Sequence, residues 1–123
     1  MSLAAFAAVV AAGVAGAVAR AWTSWAVARL VGRPDAGTLA VNLIGAFLAG
    51  AVGGGLLNGS AAPSELETVA AVGFLGAFTT FSTWMVDLLD RWRTGARVWA
   101  ATGAIATLVL GMALAALGAW LAG

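Results

Sequence analysis

The chain has 123 residues, of which 63% are hydrophobic and only 9% are charged. This composition is too apolar for a soluble domain and is typical of a membrane protein. A formal net charge of +1 provides no basic surface for nucleic acid. Cysteine and histidine are both absent, which excludes disulfides, thiolate chemistry and the usual zinc ligands. These features argue against an enzyme.

Four uncharged stretches run along the chain, each close to the roughly 20 residues that a helix needs to cross a bilayer. They cover residues 1–19, 36–64, 68–86 and 98–123. None of them alternates polar and apolar residues as the strands of a membrane β-barrel do. The sequence therefore predicts an all-α integral membrane protein, with residues 1–123 forming a single domain of four spans at about 3–25, 36–57, 66–88 and 97–121.

The first stretch is predicted to be a permanent span, because no positive side chain precedes it as in a cleaved signal peptide. Trp22 and Trp25 follow it and suit the headgroup layer. Arg20 lies about one turn inside this end of the span. Two interpretations stay open: its side chain extends to the interface, or it has a functional partner.

Charged residues at the other helix ends have local explanations. Residues 58–60 are expected to turn the chain after the second span. The sequence SELE at 64–67 predicts a capping box, in which the side chains of Ser64 and Glu67 each bond the other residue's backbone N–H. The two glutamates of this segment are therefore interpreted as cap and surface charges rather than as an acid–base pair. Asp87 and Arg91 are four residues apart, which predicts a local ion pair.

The arginines indicate how the chain is oriented. Two lie in the first loop and three in the third, and none lies near the termini or in the middle loop: Arg29, Arg33, Arg91, Arg93 and Arg97. The positive-inside rule therefore predicts both termini outside. Small residues recur every four positions in three stretches, which predicts close helix packing. Four short spans enclose little space, so a second copy or a related subunit is expected to complete any pathway.

The segment GFLGAFTTFSTW, residues 73–84, interrupts the third stretch with glycines and hydroxyls. Broken helices are tolerated at membrane depth where the freed backbone lines a cavity or binds an ion. Thr80 and Thr83 are three residues apart, as are Phe81 and Trp84, which predicts a hydroxyl row beside an aromatic row. Positive ring edges can face a small dehydrated anion, and weak coordination favours conduction.

The second stretch adds one polar amide, Asn42 in TLAVNLIGAF. An amide donates to an anion, but it also joins helices by hydrogen bonds. Together with the interrupted third stretch, Asn42 favours a lined pathway. The four uncharged stretches contain no acidic residue, which disfavours a route for cations.

GFLGAFTTFSTW resembles the G-x-x-T-T-F-S-T-F signature of the fluoride channels called Fluc or CrcB, and VNLIGAFLAG resembles the N-x-x-G segment of that family. With four spans and this length, the resemblance extends over essentially the whole chain. It implies an antiparallel dimer with two pores in the inner (plasma) membrane, through which fluoride passively leaves the cell. It also implies a structural sodium ion (Na+) at the dimer centre.

The resemblance further implies residues for each ion. Backbone carbonyls of Gly76 and Thr79 would bind sodium. Arg20 would draw anions toward the pore mouth. The remaining residues of the implied fluoride pathway are Asn42, Phe81, Trp84, Thr80, Ser82, Thr38 and Thr107.

Two features depart from the family pattern. Trp84 stands where the family usually has a second phenylalanine. Its indole adds an N–H donor, and its larger ring narrows the fluoride path. The one-sided arginines are unusual for a chain that inserts in both orientations. The partner is therefore expected to be either a second antiparallel copy or an oppositely oriented paralogue.

Two other classes of membrane protein account for part of the sequence. A small multidrug exporter has a similar length and four spans, but it depends on an acidic residue in its first span, and residues 1–28 contain none. A non-conducting assembly subunit explains the small residues but not the TTFST segment. The sequence therefore predicts a fluoride-selective passive channel that contacts membrane lipids, rather than an enzyme.

Overall fold

The computed structural model describes residues 1–57 and 63–123, with the side chains of 55–57 left out. These residues form four helical spans: α1 (Leu3–Val31), α2 (Pro34–Leu57), a segmented third span (Glu65–Arg93) and α6 (Arg97–Ala122). Each is long and apolar enough to cross a membrane. The prediction of an all-α membrane protein with four spans is confirmed. The turn predicted at residues 58–60 lies outside the described residues.

The helix ends follow from local chemistry. Ser2 caps α1, because its hydroxyl accepts a hydrogen bond from the Ala5 N–H at 3.0 Å. α1 continues past the tryptophans to Val31 and stops at Gly32, whose φ of 76° is left-handed. Pro34 then opens α2, where its missing N–H and fixed φ are compatible with the first helical turn.

The third span consists of four helical pieces. It begins with α3 (Glu65–Thr68), followed by a π-helical segment (Val69–Leu75), α4 (Gly76–Phe78) and α5 (Phe81–Arg93). The predicted capping box is confirmed: the Ser64 N–H donates to Glu67 Oε2 at 2.6 Å, and the Glu67 N–H donates to Ser64 Oγ at 3.1 Å. Thr79 and Thr80 separate α4 from α5, so the break in the third span is also confirmed.

Small residues bring the helices into backbone contact. α2 packs along α6, and α1 packs against the π-helical segment. A Cβ added at Gly50 would overlap the backbone of Ala115, and one at Gly118 would overlap the backbone of Phe47. A Cβ at Gly16 would overlap the Phe74 carbonyl. The small-residue pattern therefore sets the spacing of the bundle, as predicted.

An ionic cluster ties three helices together at one end of the bundle. The buried Asp35, in the first turn of α2, accepts hydrogen bonds from Arg33 at 2.8 Å and from Arg91 at 2.6 Å. The Arg91 guanidinium also lies 3.9 Å from the centre of the Trp99 ring. The predicted Asp87–Arg91 pair is wrong, because the more deeply buried Asp35 carboxylate on α2 offers Arg91 a stronger charge-assisted bond than the half-buried Asp87 on its own helix.

Candidate ion pathway at the break of the third span

The break is held by a side chain from α2. Thr79 is extended, with φ −83° and ψ 151°, and Thr80 has φ −148° and ψ 82°. The Thr80 N–H donates to Asn42 Oδ1 at 2.8 Å, and Asn42 Nδ2 donates to the Thr80 carbonyl at 3.0 Å. We call this pair of hydrogen bonds the Asn42–Thr80 clamp. It satisfies the backbone N–H and the carbonyl of Thr80, which lies in neither of the flanking helices.

The clamp changes the hydrogen bonding of the preceding turn. In a continuous helix the Thr80 N–H would donate to the Gly76 carbonyl, four residues earlier. Because that N–H binds Asn42 instead, the Gly76 carbonyl loses its helical donor. The extended backbone of Thr79 likewise takes its carbonyl out of the helical ladder. The break therefore frees the two carbonyls that the resemblance assigns to sodium.

Gly45 accommodates the other residue of the break. A Cβ at Gly45 would overlap Thr79 Cγ2, while the Thr79 hydroxyl donates to the Leu75 carbonyl at 3.0 Å. Asn42 and Gly45 are one turn apart on the same face of α2. The N-x-x-G spacing thus matches the break: the asparagine binds Thr80 and the glycine makes room for Thr79. The sequence resemblance includes this motif, but it assigned no role to Gly45.

Each residue of the clamp lines a different cavity. The first, of about 500 Å³, we call the Arg20 cavity. The second, of about 540 Å³, we call the Trp84 cavity. Thr80 lines the first and Asn42 lines the second, so the clamp lies where the two cavities approach each other. Seven of the eight predicted pathway residues line these cavities: Arg20, Thr38 and Thr80 in the first, and Asn42, Phe81, Trp84 and Thr107 in the second.

The Arg20 cavity combines one positive charge with hydroxyl groups. Thr38 is buried beside it. The hydroxyls of Thr80 and Thr83 lie 2.8 Å apart and share a hydrogen bond, and Ser24 also contributes to the lining. No acidic side chain of the described residues lines this cavity. Its electrostatics therefore favour an anion.

The Trp84 cavity is mostly apolar, with few polar atoms. Phe81 is 66% exposed on this single chain, whereas Trp84 is only 2% exposed. The Thr107 hydroxyl donates to the Gly103 carbonyl at 2.7 Å, so its proton is already committed. Trp84 Nε1 is buried and has no hydrogen-bond partner among the described residues. The cavity is thus lined by two aromatic side chains and one amide, while the unpaired indole N–H of Trp84 is buried.

Three predicted residues lie apart from these cavity walls. Ser82 is exposed and lines neither of the two cavities. Gly76 is also exposed, and Thr79 is half-buried. Among the described residues, no cluster of acidic, cysteine or histidine side chains is suited to a metal. A cation at the break would therefore depend on carbonyl oxygens, which suit a hard cation.

A broken span that lines cavities within an apolar helical bundle is characteristic of channels and transporters. Residues 7–119 match the family described as CrcB-like protein, Camphor Resistance (CrcB). The chain belongs to the CrcB family.

Three relatives of similar length are named as fluoride-specific ion channels. The chain is 40% identical over 108 residues to "Fluoride-specific ion channel FluC 2" of Mycobacterium tuberculosis, covering 87% of this chain and 82% of the relative. It is 42% identical over 112 residues to "Fluoride-specific ion channel FluC 1" of Symbiobacterium thermophilum, with 89% and 87% covered. It is 44% identical over 94 residues to "Fluoride-specific ion channel FluC" of Pseudomonas putida, with 76% of each chain covered.

Proposed function

We propose that this chain is a subunit of a fluoride-selective channel, not an enzyme, through which cytoplasmic fluoride passively leaves the cell across the inner (plasma) membrane. The observation that carries the proposal is the Asn42–Thr80 clamp, which holds the break of the third span between two cavities. In the part of the chain that the structure describes, neither cavity has an acidic side chain in its lining. The names of the relatives support fluoride as the anion.

The cavities support an order of contacts along the pathway. Arg20 attracts the anion into its cavity, where Thr38 and Thr80 replace part of the hydration shell. Beyond the clamp, the Asn42 amide, the edges of Phe81 and Trp84, and the Thr107 side chain line the second cavity. The exposed Ser82 extends the hydroxyl row. All of these groups except Arg20 are uncharged, so the ion binds weakly enough to leave.

The pathway needs a second subunit. Phe81 is 66% exposed although it follows directly after the break, and large apolar side chains cover the outside of the bundle. In the proposed antiparallel dimer, the two breaks meet at the centre and the partner closes each Trp84 cavity. The Gly76 and Thr79 carbonyls of both subunits would bind a structural sodium ion, which supplies the positive charge that holds these carbonyls together.

Two kinds of subunit are candidates for the partner. Five arginines on one side of the bundle favour a single orientation, and the numerals in the names of two relatives fit paralogous subunits. An oppositely oriented paralogue therefore stands beside a second copy of this chain as the partner.

Ion efflux from liposomes tests the proposed function. Liposomes that contain only this purified chain should release fluoride, measured with a selective electrode, and retain chloride measured in parallel. Such a result would show that one chain type suffices. If nothing is released, co-reconstitution with a paralogue of opposite arginine bias should restore fluoride release. Failure in both samples, or equal chloride release, would contradict the proposal.

A further inference from the structure

A buried carboxylate lies next to residues that line the Arg20 cavity. Asp35 is in the first turn of α2, and its side chain is only 10% exposed. Pro34 and Thr38, one residue before it and three residues after it, both line the cavity. Side chains three residues apart on a helix have Cβ atoms about 5–6 Å apart. Asp35 is therefore a negative charge close to a cavity whose lining carries the positive charge of Arg20.

Two arginines compensate this carboxylate, and one of them is held more firmly. Arg91 donates to Asp35 Oδ2 at 2.6 Å, and Arg33 donates to the same oxygen at 2.8 Å. The Arg33 side chain is 50% exposed, whereas that of Arg91 is 35% exposed. The Arg91 guanidinium also lies 3.9 Å from the centre of the Trp99 ring. Because water and salt weaken an ion pair with an exposed partner, Arg91 provides the larger part of the compensation.

The Asp35–Arg91 pair joins the two helices that flank the Arg20 cavity. Arg91 lies in the last turn of α5, and Thr83 in the first turn of the same helix lines the cavity. Such a pair can hold α2 and α5 together, and it can also set the charge beside the cavity. The formal charges distinguish these roles. With Arg33, the cluster carries +1, so loss of Arg91 leaves it neutral and loss of Asp35 leaves it at +2.

We propose that Arg91 compensates the charge of Asp35 and thereby keeps the Arg20 cavity attractive to anions. This inference rests on the proposed function and adds to it a charged group that does not line the cavity. Without Arg91, the half-exposed Arg33 alone would face the buried carboxylate. The field of Asp35 would then extend into the cavity and oppose that of Arg20. Fluoride would enter the cavity less readily as a result.

Charged thiol reagents measure the potential of the cavity independently of ion conduction. The chain contains no cysteine, so Ser24→Cys places a single thiol in the lining of the Arg20 cavity. The purified protein is treated in parallel with an anionic and a cationic methanethiosulfonate. Adding Arg91→Gln should lower the ratio of the anionic to the cationic reaction rate about 5-fold, the effect of one partly screened charge. Adding Asp35→Asn should raise this ratio, and adding both changes should restore it.

Arg93→Gln is the matched control for net charge. Arg93 lies two residues after Arg91 on α5, is exposed, and forms no ion pair among the described residues. Its loss should change the ratio much less than the loss of Arg91. An equal fall in both variants would show an effect of net charge alone and overturn the inference. A ratio that stays the same in Arg91→Gln, or that moves in the same direction in Asp35→Asn, would leave the pair a mechanical connection only and also overturn it.

Fluoride efflux from the same variants tests the consequence for the channel. Arg91→Gln should raise the half-saturating fluoride concentration about 3-fold, Asp35→Asn should lower it, and the double variant should restore it. Both single variants lose the ion pair, so a purely structural role would impair efflux in both, without rescue in the double variant, and would overturn the inference. If the unmodified chain carries no fluoride, alone or with a paralogue, the proposed function fails, and the thiol reaction still decides whether Arg91 sets the charge beside the cavity.

Discussion

Asn42 binds both backbone polar groups of Thr80, accepting from its N–H at 2.8 Å and donating to its carbonyl at 3.0 Å. One amide from α2 thereby substitutes for the helical hydrogen bonds that the third span gives up at its break. The geometry of the break consequently depends on a neighbouring helix, and α2 and the third span act as one unit.

The clamp makes Asn42→Asp a severe change. A carboxylate still accepts from the Thr80 N–H but cannot donate to the Thr80 carbonyl, and its negative charge repels an anion in the Trp84 cavity. We expect fluoride efflux to be abolished and the free energy of unfolding to fall by about 1–3 kcal/mol, the cost of leaving a half-buried polar group unpaired. Efflux and thermal unfolding in detergent measure the two effects. Normal flux with unchanged unfolding would mean that the clamp is dispensable.

The close approach at Gly45 predicts an effect of a single methyl group. Gly45→Ala places a Cβ against Thr79 Cγ2, and overpacking of this kind costs about 1–3 kcal/mol. We expect lower thermal stability and reduced fluoride efflux. Gly53→Ala is the matched control in α2, because its added Cβ meets nothing within 4 Å among the described atoms.

A second change tests whether the clash is with Thr79 itself. Serine lacks Cγ2 but keeps the hydroxyl that donates to the Leu75 carbonyl. Thr79→Ser should therefore restore stability and efflux to the Gly45→Ala variant. A double variant as impaired as Gly45→Ala alone would rule out this contact as the reason for the glycine.

The exposed ring of Phe81 predicts a functional change without a structural one. Phe81→Ile replaces the positive ring edge with an aliphatic group. Fluoride efflux should nearly disappear, while the mass of the assembled dimer in detergent stays the same. Phe6→Ile is the control, because Phe6 is also an exposed phenylalanine, on α1. Unchanged efflux in Phe81→Ile would remove this ring from the pathway.

The freed carbonyls at Gly76 and Thr79 predict a requirement for sodium. Replacing sodium with a large organic cation should reduce efflux or dimer stability, because repelling carbonyl dipoles lose the charge between them. At a sodium concentration 100-fold above its Kd, binding would stabilise the dimer by about 2.7 kcal/mol. Subunit dissociation measured in both salts checks this. Equal activity and equal dissociation would count against a structural cation at these carbonyls.

The sequence was sufficient to predict the four spans, the break and the residue types that line the two cavities. Apolar runs identify helices through their length, and glycine and threonine at 73–80 weaken the third helix through local preferences. The capping box at Ser64 and Glu67 was predictable for the same reason, since its partners are three residues apart.

Contacts between helices were less predictable. Asn42 and Thr80 are 38 residues apart, and their pairing depends on how α2 lies against the third span. Arg91 similarly binds Asp35, 56 residues away, rather than a neighbour on its own helix. The role of Gly45 was only partly predictable. Its spacing from Asn42 places both residues on one face of α2 but does not identify what that face contacts.

The reversal potential of the current in a planar bilayer tests the central claim most directly. With a tenfold fluoride gradient and equal chloride on both sides, a passive fluoride channel should reverse near the fluoride equilibrium potential, about 59 mV from zero. The measurement is made with this chain alone and with an oppositely oriented paralogue. A current that reverses at zero under this gradient, or no fluoride current from either sample, would contradict the account.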